Sequence, residues 1–236
     1  MREREPIAVI AGARTPMCKS FTALADVGAV QLGTIAVEAA IRAAQRQFDG
    51  FGCRSVDELI FGNVAGPPDA ANIARVISLR AGMPKDRIAH TVNRNCASGM
   101  QSISDAWDAL ARRRESIVVA GGTESMSQIP MVVSHHAAML WMRLAKSRTW
   151  AERLRTVTKF RPRDFSPTSA IMLGLTDPVS GLNMGQTAEI LAREFSISRE
   201  EQDAFALLSH RRASDARERC FLSGEIAPVS TNGESD

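Results

Sequence analysis

The residue whose type and setting best fit covalent chemistry is Cys96, in the stretch VNRNCASG at residues 92–99. It falls where a strand-like run gives way to a helix-like one. Unpaired N–H groups and the helix dipole at such a junction favour a thiolate over a thiol, whose reference pKa is about 8.5. A nucleophile is one reading; a buried structural cysteine is the other, because cysteine is among the residues most often found inside. Position alone leaves both open. A thiolate also needs a proton acceptor and a site for the oxyanion of its tetrahedral intermediate. The histidines are His90, His135, His136 and His210. His90 precedes Cys96 along one extended stretch, the His135-His136 pair sits in an irregular region, and His210 falls in a charged helix, so none is a convincing base. Cys18, Cys53, Cys96 and Cys220 are widely spaced, without a C-x-x-C pair or a neighbouring histidine cluster. That spacing points to reduced thiols rather than a zinc site or a disulfide scaffold.

The elements that must position Cys96 follow from hydrophobic pattern. IAVIAGA (7–13) reads as a buried strand ended by Gly12 and the turn at Arg14-Thr15-Pro16, and residues 31–48 carry Leu32, Ile35, Ala39 and Ala43 at helical spacing. ELIFGNV (58–64) is a second strand, residues 70–81 a short helix stopped by Gly82 and Pro84, and HTVNR (90–94) a third strand. Residues 98–112 form the clearest helix, with Met100, Ile103, Trp107 and Leu110 three and four apart. SIVVAGG (116–122) is a further strand, closed by two glycines whose simplest role is a tight strand end. No Walker or dinucleotide-type loop follows them. Alternating elements with nearly continuous apolar strands predict a largely parallel α/β sheet covered by helices. Helices are expected again over 187–195 and 198–220, the second opened by a capping box at Ser198 and Glu201, with EIAPV (225–229) as a last strand and a frayed polar end.

At 236 residues and 44% hydrophobic content the chain can bury a sizeable core. It has no run near eighteen apolar residues and no secretory leader in MREREPIAVI, so the expectation is a cytoplasmic protein. The net charge of +3 is uneven: from Trp141 to Arg163 eight basic residues face the single acid Glu152, leaving that segment at +7 and the remainder at −4. A local basic surface fits this distribution; a general nucleic-acid-binding protein does not. Residues 138–165 mix apolar and basic side chains at helical intervals, as in a helix lying on an anionic membrane or docking a partner, or in a solvated hairpin.

VNRNCASGMQSI, together with VIAGARTP, ELIFGNV, IVVAGGTESMS and MGQTAEILAREFSISREEQDAFALLSHRRA, resembles the N-terminal half of the thiolases, the acetyl-CoA acyltransferases. The blocks keep the family's order from Ile7 to Val229. The resemblance implies a mixed sheet covered by helices with an inserted loop domain, divided here as residues 1–122 for the incomplete α/β core and 123–236 for the loop domain and long helices. It implies that Cys96 is the nucleophile holding an acyl group as a thioester, that Met184 lies near the reactive end of the CoA substrate, and that Met126 and Ser127 open the CoA-binding loop domain. Asn183 stands where many short-chain biosynthetic thiolases have a histidine, which argues against that subgroup. CoA and acyl-CoA are then substrates, with no permanently bound cofactor and no metal.

The family's Gly-His-Pro, Asn-Glu-Ala and Cys-x-Gly motifs do not occur, and Cys220 is followed by Phe-Leu. The resemblance therefore implies the N-terminal portion of a 3-ketoacyl-CoA thiolase, inactive without a complementary C-terminal half; the alternatives are a non-catalytic interaction subunit and an inactive remnant. It also implies at least a homodimer. The basic segment is similar to the insertion in β subunits of fatty-acid oxidation complexes, which implies contact with an α subunit or the inner membrane and a role in β-oxidation.

Overall fold

Helix α1 (Ala29–Gln45) forms where Leu32, Val37, Ile41 and Ala44 recur at helical spacing, and it buries that stripe. In the computed structural model, which describes residues 6–112 and 117–230, it is followed by strand β1 (Glu58–Gly62), helix α2 (Ile73–Arg80), strand β2 (Ile88–Val92), helix α3 (Ser98–Arg112) and strand β3 (Val118–Gly122). Ser116 and the end of the tail, residues 231–236, lie outside the described residues. The three strands form a parallel sheet in the order β2-β1-β3. Every residue of the central strand β1 is buried, as a parallel strand covered by helices requires. Leu59, Ile73 and Ile77 are sealed from solvent in a core shared with Val37, Ile41, Val56 and Phe61. Each such side chain contributes about 1.5–3 kcal/mol by leaving water. The Asn72 side chain caps α2, accepting from the Arg75 N–H at 3.2 Å.

Three expectations change. The segment 7–13 is not a strand: Val9 is 92% exposed, and among the described residues the nearest β pairing is a bridge from Arg14, just after the segment, to Ile226. The last expected strand, 225–229, reduces to the same bridge, held by Arg14 N to Glu225 O at 2.8 Å and Ala227 N to Arg14 O at 2.7 Å. Apolar composition suits a strand but does not provide the hydrogen-bonding neighbour that makes one. Helix α3, finally, turns its small residues inward. Ser98, Ser102 and Ala106 are buried, whereas Met100 is 69% and Ile103 54% exposed. The sheet surface explains this, because Gly62 admits the start of the α3 backbone too closely for a bulky face, and Ser102 Oγ donates to Gly121 O at 2.8 Å.

By contact the chain divides into two compact units, residues 1–128 with 203–236, and residues 129–202. In the second, β4 (Met131–Val132) pairs antiparallel with β5 (Thr168–Ser169), and the helices are α4 (His135–Lys146), α5 (Trp150–Val157), α6 (Ala170–Gly174) and α7 (Met184–Glu194). Helix α7 begins three residues before the expected Thr187 because Asn183 and Gln186 form a reciprocal cap, each N–H meeting the other side chain's oxygen at 2.9 Å. Trp141, Phe160 and Phe165 cluster edge-on and tilted at 5.0–6.4 Å, the spacing aromatic rings favour. Beside them Asp164, 3% exposed, accepts from the Arg161 N–H at 2.8 Å and lies 3.0 Å from His136 Nδ1. The Arg161 N–H first, then His136, hold its carboxyl below the usual range. Helix α8 (Arg199–Glu218) opens on the predicted box, with Ser198 N to Glu201 Oε2 at 2.8 Å. No described helix is long and apolar enough to cross a membrane.

Candidate active site

Cys96 stands two residues before α3, on the turn that leaves β2. It is exposed and lines a cleft of about 940 Å³ in the first unit. Around it are Asn95, Ser98 and Gly99 from the turn and helix, Gly62 and Asn63 from the end of β1, and Gly122 and Glu124 from the end of β3. The site thus lies at the C-terminal ends of parallel strands, the usual position for ligands in open α/β sheets.

The turn is built by short polar links. Arg94 N donates to Ser98 Oγ at 2.8 Å, and Ser98 Oγ donates to Asn95 O at 2.7 Å. Asn95 has φ +49°, in the left-handed region that asparagine tolerates better than most side chains. Gly62 fixes how near α3 comes. A Cβ there would stand 2.7 Å from the Ser98 carbonyl carbon and 2.9 Å from Gly99 N, so only glycine lets the first turn of the helix rest on the strand.

The other expected players fall as follows. Met126 is exposed on the turn after β3 and does not line the cleft. That turn is anchored by the buried Ser125, whose Oγ donates to Val27 O at 3.0 Å. Asn183 is the cap of α7 and Met184 its first residue, both in the second unit and both exposed. No histidine is among the residues lining the cleft. His90 lies 3.3 Å from Glu58, and His136 is bound to Asp164. The cleft's carboxylates are also engaged: Glu225 pairs with Arg14 at 3.2 Å, while Glu124 accepts from Asn63 Nδ2 at 3.0 Å and Val64 N at 2.9 Å. Sequence reasoning missed Gly62, Asn63 and Glu124; the only signal available was that ELIFGNV and GGTE end two neighbouring strands. The arrangement presents a thiol to a roomy cleft but offers no base from its own lining.

Residues 7–236 match the family described as "Thiolase, N-terminal domain". The chain belongs to the thiolase family. It is 35% identical over 225 residues to the 3-ketoacyl-CoA thiolase of Yersinia enterocolitica, an alignment covering 95% of this chain and 50% of that protein. Among solved structures, this thiolase N-terminal domain resembles an acetyl-CoA acetyltransferase of Bacillus anthracis with TM-score 0.79 and 29% identity, over 97% of this chain and 52% of the other. It resembles the human mitochondrial 3-ketoacyl-CoA thiolase, solved in complex with CoA, with TM-score 0.76 and 32% identity, over 96% of this chain and 52% of the other. The chain spans about half the length of the curated relatives it matches. Its fold is that of the family's N-terminal α/β domain.

Proposed function

We propose that Cys96 is the nucleophile of an acyl-CoA C-acyltransferase that cleaves 3-oxoacyl-CoA. The observation that carries this reading is the exposed thiol at the mouth of a cleft, at the N-terminal end of α3, in a member of the thiolase family. The thiolate attacks the C3 carbonyl to give a tetrahedral oxyanion. Collapse breaks the C2–C3 bond, leaving the acyl group on sulfur as a thioester, and the departing acetyl-CoA carbanion takes a proton. The thiolate of a second CoA then attacks the thioester, and Cys96 leaves as thiolate. Two proton transfers require an acid and a base, and we assign them to sequence beyond these 236 residues, in a complementary C-terminal half. The 3-ketoacyl-CoA thiolases among the relatives support a β-oxidation substrate. On the family resemblance alone we also propose a CoA-binding role for Met184 and Asn183 and, separately, for Met126.

Intact-mass analysis after incubation with a 3-oxoacyl-CoA tests this, with and without a co-expressed C-terminal half. The acyl adduct maps to Cys96 in the presence of that half and is absent from Cys96→Ala. An adduct persisting on the alanine variant refutes the assignment. No adduct in either arm, with a full-length thiolase labelled in parallel, favours a non-catalytic subunit.

A second reading concerns the second unit. Trp150, 83% exposed, lies with Leu154 and Val157 on one face of α5, flanked by Arg153 and Arg155. Such a stripe suits the interface of an anionic bilayer, and we propose that this unit associates with one.

A further inference from the structure

We propose that Asn93 is a positioning residue for Cys96, holding the nucleophile's turn against the ends of the other two strands. The inference rests on the reading of Cys96 as the nucleophile. Gly62 sets how near α3 comes, and Ser98 Oγ holds the carbonyl of Asn95, the left-handed residue immediately before the thiol, at 2.7 Å. Asn93 holds its N–H. Its Oδ1 accepts the Asn95 N–H at 3.0 Å, a side-chain turn that stands in for a backbone one. Its Nδ2 donates to Val64 O at 3.4 Å, on the turn that leaves β1. One neighbour is an N–H and the other a carbonyl, so the two ends of the amide are chemically distinguished.

The far side of that link is itself fixed. Glu124, just past β3, accepts from Val64 N at 2.9 Å and Ala65 N at 3.4 Å through Oε2. Its Oε1 accepts from Asn63 Nδ2 at 3.0 Å, and the same nitrogen donates to Thr123 O at 2.8 Å. Asn63 is 5% exposed, so these bonds are shielded from water and costly to leave unmade. A polar path therefore runs from the end of β3, across the end of β1, to Asn93 at the end of β2, and stops at the residue before Cys96. Breaking it at Asn93 frees Asn95 to return to the right-handed or extended backbone preferred by most residues, which swings the thiol away from the helix end.

The test uses the full chain and needs no substrate. Iodoacetamide labelling followed by peptide mapping gives the rate at Cys96, with the exposed Cys18 and Cys220 as references in the same molecule. In Asn93→Ala the Cys96 rate falls about three- to tenfold, equivalent to about 0.7–1.4 kcal/mol, while the reference rates stay within about twofold. Asn93→Ser, whose hydroxyl makes the weaker version of the same turn, recovers part of the loss. A Cys96 rate in Asn93→Ala that is unchanged or raised, in a chain with native circular dichroism, overturns the proposal. If the alanine variant does not fold, Glu124→Ala takes its place: it removes the acceptor of the Val64 and Ala65 N–H groups, and an unchanged Cys96 rate there overturns the proposal equally. The nucleophile reading fails separately, when wild-type Cys96 takes no acyl group from a 3-oxoacyl-CoA in the presence of the C-terminal half.

Discussion

Replacing Gly62 by alanine asks the most of the site for the smallest chemical change. The new Cβ would lie 2.7 Å from Ser98 C, 2.8 Å from Ser98 O and 2.9 Å from Gly99 N. Ordinary contact begins near 3.4 Å, and the obstructing atoms are backbone, which has no rotamer to yield, so α3 must move by somewhat less than 1 Å. Overpacking of this kind costs about 1–3 kcal/mol. At about 2–4 °C per kcal/mol for a chain of this size, thermal unfolding followed by circular dichroism should drop by roughly 2–12 °C. The same shift carries the Cys96 turn away from the ends of β1 and β3, and misplacements approaching 1 Å in a catalytic group cost on the order of 100-fold in rate. Gly12→Ala is the control, since a Cβ there meets nothing within 4 Å and should change the midpoint by no more than about 2 °C. Equal midpoints for the two variants, with equal labelling of Cys96, would refute the claim that the close approach at Gly62 seats Cys96.

In the second unit, Asp164→Asn should flatten the acid end of the stability curve. The Asp164 carboxyl is held below its ordinary 3.8, so its contribution is fully present above that value and is lost as pH falls through the lower folded one. Acid titration of Trp141 fluorescence reads this, because Trp141 lies 6.4 Å from Phe165, next in sequence to Asp164. An acid transition of the same steepness in both proteins argues against the assignment. On the α5 surface, Trp150→Ala combined with Arg153→Glu should reduce sedimentation with phosphatidylserine vesicles by about tenfold and leave binding to neutral vesicles unchanged. Wild-type protein that ignores anionic vesicles while capturing a fatty-acid oxidation α subunit would assign the stripe to a protein partner instead.

Much of this chain is decided locally. The start of α3 at Ser98 and the capping box at Ser198 and Glu201 are written in residues that touch one another along the sequence, and they form as read. The cap at Asn183 and Gln186 carries the same signal and sets the true start of α7. Cys96 could be singled out because its neighbours in sequence, a strand end and a helix start, admit a nucleophile, although position alone left a buried structural cysteine equally open. Three features could not be found that way, since each depends on atoms brought together from distant positions. Residues 7–13 have strand composition but no ladder partner, so they stay unpaired up to Arg14. Helix α3 has a clear apolar stripe, yet it buries serine and alanine, because the close approach at Gly62 and the bond from Ser102 to the Gly121 carbonyl decide which face meets the sheet. The path from Glu124 through Val64 to Asn93 joins residues about sixty and thirty positions apart. Sequence determined which residue could act as a nucleophile and which segments could be regular, because short-range sterics, capping and periodicity act between neighbours. Only the tertiary structure decided which segments found partners and what holds the turn of Cys96, because hydrogen-bond ladders and close backbone contacts exist only once the strand ends meet.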